Sequence, residues 1–496
     1  MMIDQKSKTQ SIEDLATSRH ADIDTLAAEL GIDEKKLMRK IDWHVLPVLC
    51  GFYLLQSIDK GNIGLAKLGG IQNDTHTSGS LFNWAVSMFY LGYVVAEIPC
   101  NLALQRINPR WWISSIGLCW GVVVCLMSLT NSFATLSIAR CFLGVFEAGV
   151  LPASVLITAL WYKRSEHALR TAIWFSFSSL GSAVGGLISY GIQSHLVYSS
   201  IRPWQWLMII EGVFTIAWAL VSYVICPNVP EKAGFLTENE RTFILNRQRL
   251  DKTQTSLTFD RRQAIEAILD YKTWFLFCIY FIWQAVNIAF STFNPSIIAG
   301  LGYSNLNAQL LSAPFALFNL LIQLVVSWSS DRFNDRSYHL IACGLLSIVG
   351  YACIVAIPTT PQNSGLLYGL LFFTSFNSGS LTLILGWMTN TIIGHTKRVV
   401  ASSIIIIGSS LGGFVGSLIY QDGQYSRGHI INLTLISVAL ILAAVLRSLL
   451  MWENRRRDKL ANEDPSLARS ENLVEDVDII VKENFTDKDP RVRYNL

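Results

Sequence analysis

The chain is poor in charge. Only 15% of its 496 residues are Asp, Glu, Lys or Arg, against about a quarter in a soluble globular protein. With 51% hydrophobic residues and a mean hydropathy of +0.38, this shortage overrides the two or three soluble domains that length alone would suit. Net charge is +3, too little to argue for a nucleic-acid partner. Enzyme signatures are missing as well. There is no Walker loop and no H-E-x-x-H, so neither direct ATP drive nor a zinc hydrolase is indicated. The match to G-x-S-x-G at Gly408 to Gly412 lies inside an apolar helical run, whereas a nucleophile elbow needs a strand before a helix. The nine cysteines fall almost entirely in apolar runs. None forms a C-x-x-C pair and no Cys/His spacing fits a metal, so they read as small buried hydrophobes. No metal and no cofactor is expected. The segment before the first apolar run is polar and charged, which excludes a cleavable signal peptide there. The first apolar run must itself direct insertion.

Long apolar runs are what the chain has instead. A membrane span needs roughly 20 such residues. Candidates run over 44–66, 81–104, 111–130, 135–161, 170–193, 204–226, 272–299, 308–329, 339–357, 365–392, 399–420 and 430–451. The expected fold is therefore an all-α membrane protein of twelve spans. A polar stretch, 227–270, divides the spans six and six. The domain organisation reads as a tail (1–43), a six-helix bundle (44–226), a central loop (227–270), a second bundle (271–451) and a tail (452–496). Basic residues mark one side. On the tail side lie Arg106, Arg110, Lys163, Arg164, Arg170, Arg332, Arg336, Lys397, Arg398, Arg455, Arg456, Arg457 and Lys459; on the other lie Lys67, Arg202 and Arg427. Both termini and the central loop are expected in the cytoplasm.

The two halves repeat. "QRINPR" (Gln105 to Arg110) matches "DRFNDR" (Asp331 to Arg336) at an offset of 226. "GSAVGG" (Gly181 to Gly186) matches "GSSLGG" (Gly408 to Gly413) at 227, and "DKGNIG" from Asp59 matches "QAVNIA" from Gln284 more weakly at 225. Three matches at nearly one period indicate two related bundles, the usual build of a secondary transporter with its site between them. The glycines let helix backbones approach closely. The basic turns, Gln105, Arg106 and Arg110 with Asp331, Arg332 and Arg336, read as gates that reach acids or carbonyl ends on a neighbouring helix; anchoring to the inner surface is the plainer alternative.

A few ionisable residues interrupt the apolar runs. Arg140 and Glu147 are seven residues apart in the fourth span, so they share a helix face about 10 Å apart along the axis. Asp59 and Lys60 interrupt the first. Such groups persist where they face a bundle interior or a wet cavity. A cation and an acid on one face suggest a place for an anion and a place for a proton. Mutual neutralisation of buried charge is the alternative. The repeat sets Asp59 against Gln284 and Lys60 against Ala285, so the ionisable machinery belongs to the first half. The second half offers amides and aromatics, among them Asn287, and Tyr90 in the second span is a candidate for the cavity wall. Glu97 and Glu211 read as helix-packing or gating partners rather than ligands.

"IDWHVLPVLCGFYLLQSIDKGNIGLAK", "RCFLGVFEAGVLPA", "QWLMIIEG" and "SDRFNDRS" resemble the first, fourth and sixth spans and the second gating turn of the major facilitator superfamily. More narrowly, the chain resembles its anion:cation symporter family and the fungal allantoate and nicotinate permease group, over about residues 40–455. The sequence departs from that pattern at Lys60, where the family has arginine, and at Gln105, where the wider superfamily has an acid. The resemblance implies two six-helix bundles that expose a central cavity to each side in turn. It implies a monomer in the plasma membrane that imports a small organic anion, such as nicotinate, allantoate or pantothenate, driven by protons and without a cofactor. Arg140 would hold the substrate carboxylate with Lys60, Asn287 and Tyr90 beside it, while Glu147 and Asp59 carry the proton. An exporter of a secondary metabolite on the same fold is the alternative, and a non-transporting nutrient sensor a further one.

Overall fold

The computed structural model describes residues 25–104, 106–196, 200–252, 260–333, 335–421, 423–463 and 493–494. Among them, twelve helices are long and apolar enough to cross a membrane. Spans one to six are Glu34–Leu68, Ser80–Leu104, Pro109–Met127, Phe133–Trp161, Leu169–His195 and Pro203–Ile225. Spans seven to twelve are Tyr271–Gly300, Asn305–Phe333, Ser337–Ala356, Ser364–Thr391, Thr396–Gly416 and Tyr425–Glu463. The all-α, twelve-span expectation holds.

Two boundaries move, and the central stretch is itself helical in part. Span one begins at Glu34, ahead of its apolar run, because the Asp33 side chain caps it by accepting from the Lys36 amide at 3.2 Å. Leu37, Met38 and Ile41 on this extension are buried. Span twelve continues as a charged helix to Glu463. The central stretch is also no open loop: it holds helices at Glu238–Lys252 and Arg261–Leu269. Their charge hid them from a reading based on hydropathy, yet charge is what docks them. Arg247, 1% exposed, reaches Glu34 at 2.7 Å and Glu166 at 2.5 Å. Lys40 meets Glu240 at 2.8 Å. The second helix instead serves the second half, where the Gln263 side-chain oxygen accepts from the Thr396 amide.

Inside each half the helices pair alike. Span one packs on five and six, two on four, and three on six; correspondingly, seven packs on eleven and twelve, eight on ten, and nine on twelve. The repeat extends to an irregularity that the apolar pattern did not show. Span four is interrupted after Glu147, at Ala148 and Gly149, and span ten at Ser375. Ser375 follows Ala148 by 227 residues, the offset of the sequence repeat. The glycine stripes do what their spacing suggested. Gly181 abuts the Leu54 carbonyl of span one, while Gly412 and Gly416 abut the Phe281 and Ala285 carbonyls of span seven.

The halves meet along spans one and seven, two and eleven, and five and eight. Their hydrogen bonds lie towards the face opposite the termini. Asn83 donates to the Tyr420 carbonyl at 2.6 Å, Ser87 and Ser417 share a bond of 2.6 Å, and Asn305 donates to the Leu68 carbonyl at 3.3 Å. Gly64 presses on the Thr292 carbonyl, and Gly186 on Ser312 and the Gln309 carbonyl. Among the described residues no hydrogen bond or ion pair joins the two bundles on the terminal face. The hydrogen bonds between the bundles are thus confined to the face opposite the termini.

On the terminal face Asp270 binds Lys397 at 2.5 Å and Lys272 at 3.4 Å. Burial opposes ionisation of Asp270, but the two ammonium groups outweigh it and hold the carboxyl below its ordinary value of 3.8. A depressed folded value means that the stabilisation is complete above the ordinary value and is lost as pH falls through the depressed one. Asp270→Asn is therefore expected to lower the melting temperature of the purified protein at neutral pH. Its gap from the parent should narrow as the buffer is acidified below about pH 4; a gap that widens in acid would contradict this assignment.

Candidate functional site

Spans two and four touch through glycine. Gly144 abuts the Phe89 carbonyl and Gly92 the Cys141 carbonyl. This close approach brings the Phe89 ring between two cations: Arg140 lies 5.2 Å from its centroid and Lys60 lies 5.7 Å away. Lys60 is also 5.5 Å from the Tyr93 ring. Across from it, Glu147 presents a carboxylate with Oε2 3.6 Å from the Lys60 ammonium. Glu147 has no exposed surface, whereas the Lys60 side chain is 36% exposed. The irregular turn begins directly after Glu147, and Gln56 donates its amide to the Glu147 main-chain carbonyl at 3.4 Å.

The satisfaction of these groups is incomplete. Arg140 is 2% exposed, and its Nε and Nη1 have no hydrogen-bond partner. Both Glu147 carboxylate oxygens likewise lack one. Buried polar atoms are nearly always bonded, and exceptions call for a reason. Here the free donors belong to a guanidinium fork in the charged cluster of spans one, two and four. Tyr90, one turn from Tyr93, abuts Gly413 of span eleven. Ser87, one turn further towards the face opposite the termini, makes the bond to Ser417. The cluster thus lies beside the seam between the bundles, on the terminal side of its hydrogen bonds.

The sequence-derived candidates divide. Arg140, Lys60, Glu147 and Tyr90 come together, with Tyr90 in electrostatic reach of Arg140. Asp59 does not join them. Its Oδ2 accepts from Trp120 Nε1 at 2.6 Å and Thr215 Oγ1 at 3.3 Å, so it faces spans three and six inside the first bundle. Asn287 is half-buried in the middle of span seven, and no hydrogen bond links it to the cluster. Tyr93 could line the cavity by its sequence but reads equally as a packed helix face; Phe89 and Gln56 carry no sequence signal that sets them apart.

Among the gating candidates, Gln105 lies outside the described residues. Arg110 donates to the Tyr223 and Val224 carbonyls at the end of span six. Arg336 binds Asp331 and Ser330 of its own turn, and Arg447 of span twelve closes on Asp335. Arg106 and Arg332 are exposed. The basic turns therefore fasten the last helix of each half to its own bundle. In this conformation they do not latch one half to the other.

Two bundles with the same helix pairing, joined at one face around a charged cluster, agree with what the chain is similar to. The Major Facilitator Superfamily profile matches residues 49–417 and again 276–475. The chain belongs to the Major Facilitator Superfamily. An uncharacterized transporter of Schizosaccharomyces pombe is 31% identical over 494 residues, covering 98% of this chain and 89% of its own. The major facilitator-type transporter hxnP of Emericella nidulans is 28% identical, covering 86% of this chain and 88% of its own. Among solved structures, that of a D-xylose-proton symporter superposes with a TM-score of 0.64 at 15% identity, over 81% of this chain and 97% of that one. In this superfamily member the first bundle carries the charged cluster.

Removing one partner of a fully buried ion pair costs about 3–5 kcal/mol, because the other charge is left uncompensated. Lys60 is partly open to water, which lowers that figure. Lys60→Ala is expected to destabilise the protein in thermal unfolding, and adding Glu147→Gln to recover much of the loss. Additive losses in the double variant would show that the pair does not interact.

Proposed function

We propose that this transporter moves a small organic anion together with protons, inward across the plasma membrane, in the manner of the anion:cation symporters. The observation that carries the reading is the buried Arg140 guanidinium, with Nε and Nη1 unpartnered beside the seam between the bundles. A planar fork with free donors suits a carboxylate, which it binds with two parallel hydrogen bonds. The Phe89 and Tyr93 rings around the cations suit a small substrate with a flat or apolar body.

Coupling follows from charge. Without substrate, Lys60 is matched by Glu147 at 3.6 Å. An arriving carboxylate adds a negative charge that Lys60 and Arg140 must also serve, and a proton on Glu147 restores the balance. The loaded core is then close to neutral and free to cross between conformations. The basic residues of the terminal face support a cytoplasmic position for it, and hydrogen bonds between the bundles confined to the opposite face suit an inward-facing conformation.

Uptake of labelled nicotinate, allantoate and pantothenate, by cells expressing the chain with and without an uncoupler, tests the reading. Accumulation of one of them that rises with external acidity and collapses with the uncoupler is expected. Faster loss of preloaded compound without accumulation would instead identify an exporter, and signalling without any movement a sensor. Arg140→Lys keeps the charge but loses the fork, and should weaken apparent affinity by about 1.5–3 kcal/mol, the worth of a hydrogen bond to a charged group. Glu147→Gln should retain substrate exchange but lose uphill, pH-driven uptake. Undiminished uphill uptake in that variant would sink the coupling role.

A further inference from the structure

Inside the first bundle, spans one and six face each other through two polar rungs. On the first, Thr215 donates to Asp59 at 3.3 Å, with Trp120 of span three donating to the same oxygen at 2.6 Å. On the second, one turn further from the terminal face on both helices, Glu211 lies beside the Asn62 amide and in electrostatic reach of Asp59. Asp59 and Asn62 are fully buried and Glu211 is 2% exposed. Both Glu211 carboxylate oxygens, Asp59 Oδ1 and both atoms of the Asn62 amide lack a hydrogen-bond partner. The transport reading uses neither Glu211 nor Asn62.

The groups around this pair leave it short of positive charge. Span one contributes Asp59 and Asn62; its Lys60 is engaged with Glu147 at 3.6 Å. Span three contributes Trp120 and, next to Gly212, Cys125. Span four contributes Arg140 and Glu147, both in electrostatic reach of Asp59. Span five has ionisable residues only at its ends, apart from Tyr190. Span two contributes Glu97, only half-buried and towards the terminal face; the fully buried acids are therefore three, Asp59, Glu147 and Glu211, against two cations, Lys60 and Arg140. One negative charge is in excess. Glu211 is the least compensated of the three: the Asn62 amide lies beside it, but among the described residues no cation pairs with it, and uncompensated buried charge is what proteins avoid most strongly.

We propose that Asp59 and Glu211 hold one proton between them, forming an acid pair inside the first bundle that is separate from the cavity acid Glu147. Two buried carboxyls this poorly matched by cations share a proton rather than ionise together, and the unpartnered Asn62 amide is placed to bond whichever of them is ionised. The pair builds on the proton-coupled reading above. It gives that reading a second acid site, which keeps the core balanced when the cavity is empty, while the proton on Glu147 answers the substrate.

The test is infrared spectroscopy of the purified full-length protein in lipid vesicles, with choline replacing sodium. The parent is expected to show the C=O stretch of a neutral, buried carboxylic acid at neutral pH. Glu211→Gln and Asp59→Asn should each lose one such band, since either change removes the excess charge that requires the proton. Glu211→Asp should keep the band but shift it, which covers a Gln variant that does not fold. Absence of the band in the parent, or its survival in both neutral variants, would overturn the pair. Its disappearance from the parent on adding sodium would also overturn it, by showing a metal cation in place of the proton. The readout needs no substrate. A protein that keeps the band yet shows no uncoupler-sensitive uptake retains the pair and loses the transport reading.

Discussion

Glu147 has no exposed surface, and Lys60 lies 3.6 Å away as its ion-pair partner. A lone carboxylate at that depth is untenable, so much of the first bundle is arranged around supplying and positioning this cation. Span one must bring Lys60 to span four. Span two must approach span four closely enough, through Gly92 and Gly144, for the Phe89 ring to lie between Lys60 and Arg140. The interruption of span four directly after Glu147 leaves a carbonyl that the Gln56 amide takes up. Remove the ion pair and the polar residues of spans one and four have no common reason to meet.

The same constraint explains the asymmetry of the two halves. Their helices pair alike and even share an interruption, at Ala148 and at Ser375. The chemistry is nevertheless one-sided. The second half has Gln284 and Ala285 at the positions matching Asp59 and Lys60, and it lends the seam its backbone carbonyls, small residues and aromatics. Tyr420 and Ser417 bond to span two on the face opposite the termini, and Gly413 gives Tyr90 room beside the cluster. One bundle supplies the charge; the other supplies a neutral wall against which it can close or part.

Electrostatics also organises the terminal face, in a different dielectric. There Arg247 joins Glu34 and Glu166, and Asp270 joins Lys272 and Lys397. These pairs tie one central helix to each half without bridging the two. Arg110 and Arg447 likewise close each half on itself. Each bundle is thereby stiffened as a separate body, which suits motion of one against the other more than a latch between them would.

The sequence alone determined the class of fold and pointed to most of the charged cluster. Twelve apolar runs, a repeat at one offset and an asymmetric distribution of Lys and Arg are one-dimensional patterns, and the bilayer leaves a chain bearing them few alternatives. Arg140 and Glu147 were legible because a charge in an apolar run is conspicuous whatever surrounds it. Glu211 was just as visible, yet its relation to Asp59 was not. Whether an acid faces the cavity or the interior of its own bundle depends on the rotation of one helix against another. That rotation is fixed by contacts such as Thr215 and Trp120 with Asp59, between residues 61 and 156 positions apart. Only the tertiary structure could separate Glu147, beside Lys60, from Asp59, which faces spans three and six, because the distinction lies in which neighbours share a buried volume and leaves no period in the chain.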